Sequence, residues 1–285
     1  MNGMAGGGQK RFAKAVKLAV LLVLLALYMV PFFLILINSL KTKKAIIKDP
    51  LQLVDPGGVT FENFAKAFDK MNFLNSFGNS LLITCVSVAL IVLVTSMAAY
   101  FFVRADWRIN KILFFCMLAA MIIPFQVVMI PLVQIYGGIF GVLNHKSTLI
   151  FMHVGFSVSL AVFIYHGFIK SNIPISLEEA ATLDGCSRTQ TFFRVVFPLL
   201  KPTTATIVVL NVLAIWNDYL LPSLVLTEKK NFTLPLSTYA FYGTYTVDYG
   251  AIMAALVLTT LPVIVLYLFL QRQIISGVVS GAVKA

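Results

Sequence analysis

An all-α, polytopic membrane fold with six transmembrane helices and both termini inside is what this sequence predicts, on three observations. The chain is too apolar for water. Of its 285 residues 59% are hydrophobic and 12% charged, with a mean hydropathy of +0.92, whereas soluble domains carry roughly a quarter charged residues. Its apolar residues gather into six stretches long enough to cross a hydrocarbon core of roughly 30 Å, which needs about 20 helical residues. No strand-period alternation recurs, so helices rather than a barrel satisfy the backbone inside lipid.

The first span runs from near Leu18 to Ile37 without a charge. It is too long for the apolar part of a signal peptide, and Pro31-Phe32-Phe33 is no small-residue cleavage site. The Gly-rich Met1–Gln9 ahead of it is expected to be disordered. The second span lies within Phe77–Val103. The third lies within Ile112–Tyr136, where Pro124 and Pro131 predict a kink or break. The fourth covers about Thr148–Phe168, the fifth about Thr203–Leu221, and the sixth about Gly250–Leu270 with Pro262 inside. Between the first two spans lies Ser39–Ser76, with turn chemistry at Asp49-Pro50 and Asp55-Pro56-Gly57-Gly58. An amphipathic helix follows, with Phe61, Phe64, Ala65 and Phe68 at helical spacing, Thr60 as its cap and Asn63 as a weak partner. The Phe stripe is expected to pack on the membrane domain.

The formal charge of +11 points to a lipid membrane and not to nucleic acid. The basic residues fall between spans and form no stripe with interleaved aromatics. Orientation follows from their distribution. The short connection from Arg104 through Arg108 to Lys111 is strongly basic and belongs inside, together with Lys10 to Lys17 and Lys170 to Lys201. Lys41, Lys43, Lys44 and Lys48 contradict the rule, since the same orientation leaves them outside.

Catalysis finds no motif. Gly6-Gly7-Gly8-Gln9-Lys10 lacks the phosphate-loop pattern. His145, His153 and His166 form no zinc-binding helical pair, so no metal is expected, and His153 and His166 read as structural. Cys85, Cys116 and Cys186 are isolated, which excludes a disulfide framework. Asp218 is the one obvious intramembrane acid. Counted from Thr203 at about 1.5 Å per residue, it rises roughly 22 Å, toward the outer interface and away from any midplane proton relay. Asn211, about 12 Å up on the same count, lies nearer the midplane, within reach of a solute hydroxyl or a neighbouring helix.

The most informative stretch is the charged interruption from Ser176 to Pro198. It reads as two short helices and a sharp turn. Ser176 with Glu179 has capping-box spacing, Gly185 suits the left-handed position that ends a helix, and Ser187 with Gln190 repeats the box. Pro198 limits the second helix. A polar hairpin on a membrane protein has no core of its own, so it is expected to dock onto another protein. Glu179-Ala180-Ala181, then Gly185, then Val195, Phe197 and Pro198 together resemble the coupling loop of ABC-importer permeases, with Val and Phe where Ile and Leu are usual. Further along, Trp216-Asn217-Asp218-Tyr219 with Pro222, then Leu234-Pro235-Leu236, and the ending Gln271-Arg272, Gly277 and Gly281-Ala282-Val283-Lys284 are similar to the second permease subunit of maltose-type sugar importers. The likeness covers nearly the whole chain.

That resemblance implies the type I importer fold and a division of the chain. A cytoplasmic tail spans 1–17, and the first helix with its extracellular loop spans 18–75. The permease core spans 76–272 with its coupling loop at 171–202, and a cytoplasmic tail spans 273–285. It also implies a multi-pass subunit of a bacterial inner membrane, not itself an enzyme. Its partners would be a second, non-identical permease, two ATP-binding subunits holding the ATP and magnesium, and an extracellular sugar-binding protein. Glu178, Glu179, Ala180, Ala181, Asp184, Gly185, Arg188, Phe197 and Pro198 would form the ATPase-coupling set, with Glu179 paired to a basic residue of an ATPase cleft and Ala180 and Ala181 permitting close approach. Asn211, Trp216, Asn217 and Asp218 would lie along the solute path, and Tyr239, Tyr242 and Tyr245 would meet the binding protein. The cargo implied is a di- or oligosaccharide. A polyol or glycerol phosphate permease and an ion-coupled secondary transporter are the alternatives.

Overall fold

The structure is a computed structural model whose described residues are 5–53, 57–241 and 248–282, with side chains described from Phe12 to Phe269 and at Gln271 outside those gaps. Among them there is no strand. The helices are, in order, α1 (Ala5–Ser39), α2 (Lys43–Lys48), α3 (Glu62–Lys70), α4 (Phe73–Arg104), α5 (Arg108–Ala120), α6 (Phe125–Val133), α7 (Lys146–Asn172), α8 (Ile175–Leu183), α9 (Arg188–Thr191), α10 (Phe197–Leu199), α11 (Lys201–Trp216), α12 (Leu220–Val225), α13 (Leu234–Ser237) and α14 (Tyr249–Ala282). Single π-helical stretches at Gln134–Ile139 and Phe192–Val196 extend α6 and join α9 to α10.

Four of these helices are long and apolar enough to span a membrane: Phe12–Ser39, Phe73–Arg104, Lys146–Asn172 and Tyr249–Phe269. Two bent helix pairs bring the number to six if each is counted as one span. Arg108–Ala120 and Phe125–Ile139 meet at 97°, while Arg188–Leu199 and Lys201–Trp216 meet at 76°. The first break falls where the proline reading put it, because Pro124 takes an extended ψ of 137° and caps α6 instead of continuing α5. The fifth span is shorter than its apolar pattern, ending at Trp216 with the chain re-entering helix at Leu220. The N-terminal expectation is corrected as well. Helix α1 starts at Ala5, within the stretch read as disordered, because a 35-residue helix carries its glycines as a continuous extension.

Two compact units emerge from the contacts, Met1–Met71 with Thr238–Thr260 and Asn72–Ser237 with Leu261–Ala285. In the first, the loop after α1 is knitted by polar groups. Lys41 is 2% exposed, and its Nζ donates to Asn38 Oδ1 at 3.1 Å, Pro50 O at 3.2 Å and Asp49 O at 3.4 Å. Thr60, expected as the cap of α3, lies one residue too early: the N-cap is Phe61 with no side-chain cap, and Thr60 Oγ1 accepts from Glu62 N in a local turn. Asn63, read as a weak cap partner, does something else. It is buried and its amide donates to Ser39 O and Lys41 O at 2.9 and 2.8 Å. Gly250 is needed there, since a Cβ on it would lie 2.5 Å from Asn63 Oδ1. The buried face of α3 is therefore Asn63 and Ala67, continued by Met71. Phe61 and Phe68 of the predicted stripe stay exposed, because two carbonyls demand the Asn63 amide and turn that face inward.

The second unit packs α4 against α7 and α11. Its core includes Ile83, Ile91, Ala99, Leu149, Val162, Tyr165, Ile169, Leu200 and Ile207. Small polar residues of α4 are buried along the same face, among them Ser80, Thr84, Ser87, Thr95 and Ser96, which lets helix backbones approach closely. Tyr165 donates its hydroxyl to Thr204 Oγ1 at 2.8 Å, tying α7 to α11. At the other end the 226–237 segment is pinned by asparagines. Asn144, at a φ of 65°, accepts from Thr227 N and Glu228 N, and Asn79 Nδ2 donates to Lys230 O and Phe232 O at 2.9 Å.

Candidate functional site: the α8–α9 turn and the end of α11

Helix α8 follows α7 directly. Ile173 caps α7 and Pro174, in the extended region, starts α8 at Ile175. This corrects the expected Ser176 capping box. Because helix begins one residue after Pro174, Ser176 already lies inside the first turn and no side chain caps it. Glu179 is thereby released from its own helix end and stands exposed. The far end of α8 closes as expected. Gly185 adopts a φ of +82°, and the bonds Cys186 N to Ala181 O at 2.9 Å and Gly185 N to Thr182 O at 3.0 Å make a Schellman motif. The second box is present in full. Ser187 Oγ accepts from Gln190 N, and Gln190 Oε1 accepts from Ser187 N at 2.8 Å.

Local chemistry thus shapes a rigid turn with an exposed rim of Glu179, Ala180, Leu183, Asp184, Gly185 and Arg188. Leu183 is 89% exposed at the tip. Ala181 is buried within the chain, Phe197 is half-buried and Pro198 is exposed.

Glu178 faces the opposite way. It is 9% exposed, pairs with Arg104 Nη2 at 2.7 Å, and accepts from Arg104 Nε and from the Tyr100 hydroxyl, each at 2.8 Å. Arg104 Nη2 also donates to Ile173 O at 2.8 Å. A cavity of about 510 Å³ lies beside this cluster, bordered by Trp107, Arg188 and Phe193. Asn110, buried at the start of α5, donates to Ala105 O at 2.6 Å and closes the end of α4. In the sequence Arg104 stands out for topology only, and Tyr100 and Asn110 do not stand out at all. A hydroxyl and a cation at i and i+4 on α4 were the available signal.

At the end of α11 the polar groups satisfy their own backbone. Asn211 is half-buried and donates to Ile207 O, and exposed Asn217 donates to Leu213 O, both at 2.8 Å. Trp216 is 3% exposed with its ring edge on Phe77, centroids 5.7 Å apart, and its Nε1 meets no acceptor among the described residues. Asp218 Oδ1 accepts from Leu220 N at 3.0 Å and Leu221 N at 3.3 Å, ordering the start of α12. Its Oδ2 lies 3.9 Å from His153 Nδ1, a neighbour the sequence reading had treated as merely structural. Tyr239 is 56% exposed, whereas Tyr242 and Tyr245 lie outside the described residues.

Residues 91–279, carrying both the turn and the end of α11, match the family described as binding-protein-dependent transport system inner membrane component. The chain belongs to that family. Its members are membrane permeases of ABC transporters, not themselves catalytic, working in general with a partner permease, ATPase subunits and a binding protein. The chain is 42% identical over 263 residues to the probable starch degradation products transport system permease protein AmyC of Thermoanaerobacterium thermosulfurigenes, covering 92% of this chain and 94% of that one. It is 37% identical to the melibiose/raffinose/stachyose import permease protein MelC of Bacillus subtilis, covering 90% and 92%. A crystal structure of a bacterial ABC transporter involved in alginate import contains a chain of the same fold, with a TM-score of 0.78 over 93% of this permease and 97% of that chain at 20% identity.

Proposed function

We propose that this permease is one of two non-identical membrane subunits of an ATP-driven, binding-protein-dependent importer of a carbohydrate, a di- or oligosaccharide. The observation that carries the reading is the α8–α9 turn. It is rigidly capped at both ends yet presents Glu179 and Leu183 outward. ATP hydrolysis belongs to two partner subunits whose clefts receive this turn, so 171–202 is the coupling loop and the turn lies in the cytoplasm. Relatives named for starch products and for melibiose, raffinose and stachyose support a sugar cargo.

The remaining divisions follow from that orientation: an inner tail over 1–17, an outer loop closing the 18–75 segment, a core over 76–272 and an inner tail over 273–285. Of the lysines that oppose it, Lys41 has its amine bound to three oxygens within its own loop, so it acts as a fold element and not as a free surface charge. Asn211, Trp216, Asn217 and Asp218 lie along the solute path, and Tyr239, Tyr242 and Tyr245 contact the sugar-binding protein.

Reconstitution of the whole complex in vesicles tests the function. With ATP on the side of the turn and sugar-loaded binding protein on the other, labelled oligosaccharide accumulates. Uptake that follows a proton or sodium gradient without ATP would replace this reading with the ion-coupled one.

A further inference from the structure

Helix α8 is poorly anchored by apolar burial. Of its nine residues, Glu178 and Ala181 are the buried ones, and a helix this short is marginal by itself. What ties it to α4 is an ion-pair cluster. One guanidinium, on the last residue of α4, grips the α8 carboxylate and the carbonyl that ends α7. Tyr100, one turn earlier on α4, adds its hydroxyl to the same carboxylate, and its ring leans on buried Phe192 at a centroid distance of 5.3 Å. The cluster therefore joins α4, α7, α8 and the π-helical stretch that leads into α11. Its atoms are largely removed from water, the Arg104 and Glu178 side chains being 18% and 11% exposed, so the pair is screened less by water and salt than surface ion pairs are.

We propose that Tyr100, Arg104 and Glu178 form an internal clutch that transmits displacement of α8 to the membrane-spanning α4. Glu179 faces the partner and Glu178 faces home. A push received on the outer face of α8 then reaches α4 through charge-assisted bonds, which resist shear better than apolar contacts that slide. Arg104 and Glu178 are positioning residues, and neither needs to touch nucleotide or sugar. This inference rests on the coupling-loop reading above.

The test uses the complete reconstituted complex. Glu178→Gln keeps shape and removes the charge. The expected result is intact assembly with sugar moved per ATP falling about tenfold, the scale of losing a hydrogen bond to a charged group. Tyr100→Phe removes one hydroxyl, keeps the ring on Phe192, and should lower the same ratio about threefold, with no loss of assembly. A purely structural cluster would lower yield or melting temperature while each assembled complex kept its normal ratio. Normal sugar-per-ATP ratios in Tyr100→Phe, or in assembled Glu178→Gln, overturn the clutch. Glu179→Lys run in parallel separates the two claims. If it uncouples while the clutch variants do not, only the clutch fails, and if it too is normal, the coupling-loop reading fails first.

Discussion

The α8–α9 turn and the end of α11 are both short polar interruptions in an apolar chain, yet they use their polar groups in opposite ways. In the turn, backbone needs are met by a Schellman glycine and a reciprocal capping box, which leaves Glu179, Asp184 and Arg188 exposed. At the end of α11, Asn211, Asn217 and Asp218 each spend hydrogen bonds on nearby backbone. An interface meant for a protein partner keeps its charges available. On the proposed reading, amides already satisfied within their own helix would offer a passing solute only weak, replaceable contacts.

The largest effect that would break this contrast is at Gly185. Nothing lies within 4 Å of a Cβ there, so the constraint is the φ of +82° alone. Gly185→Val, β-branched at positive φ, is expected to cost about 1–2 kcal/mol of local order and to abolish sugar-stimulated ATP hydrolysis. Gly185→Asn, which tolerates that φ, retains it. Equal activity of the two variants would show that the turn geometry does not matter. Next in size is Ser187→Ala, which removes half of the capping box and should lower stability by about 1 kcal/mol, read as a lower melting temperature of the complex.

Asp218 sharpens the other side. Asp218→Ala loses the bonds to Leu220 and Leu221, again about 1 kcal/mol, whereas Asp218→Asn retains an acceptor there without a buried charge. Thermal melting of the complex should show the loss in Asp218→Ala and not in Asp218→Asn. The smallest effect is expected at Asn211, whose donor is already used by Ile207 O. Only Oδ1 is left for cargo, so Asn211→Ala should raise the uptake half-saturation several-fold at most, the scale of a hydrogen bond of about 0.5–1.5 kcal/mol. An unchanged half-saturation removes it from the path.

Legibility in the sequence followed the same divide. Hydropathy located the four long apolar helices, and Pro124 marked the break that the structure makes. Gly185 and the Ser187–Gln190 box were readable because capping is decided within a few residues. Ser176 was not, since Pro174 starts the helix earlier than the box pattern implies. Nor was the face of α3, because an amide reaching carbonyls 22 and 24 residues away outweighs a Phe stripe. Glu178 and Arg104 are 74 residues apart, and nothing local distinguishes Glu178 from Glu179. Only the bonds from Tyr100 and Arg104 of α4 assign one inward and the other outward.

That assignment makes Glu179→Lys the most direct test of the coupling claim. Purified with its partner subunits, the variant should insert normally but lose ATPase association and sugar-stimulated hydrolysis by more than about tenfold, since a reversed charge meets a basic cleft. Normal association and normal stimulation in Glu179→Lys would contradict the account.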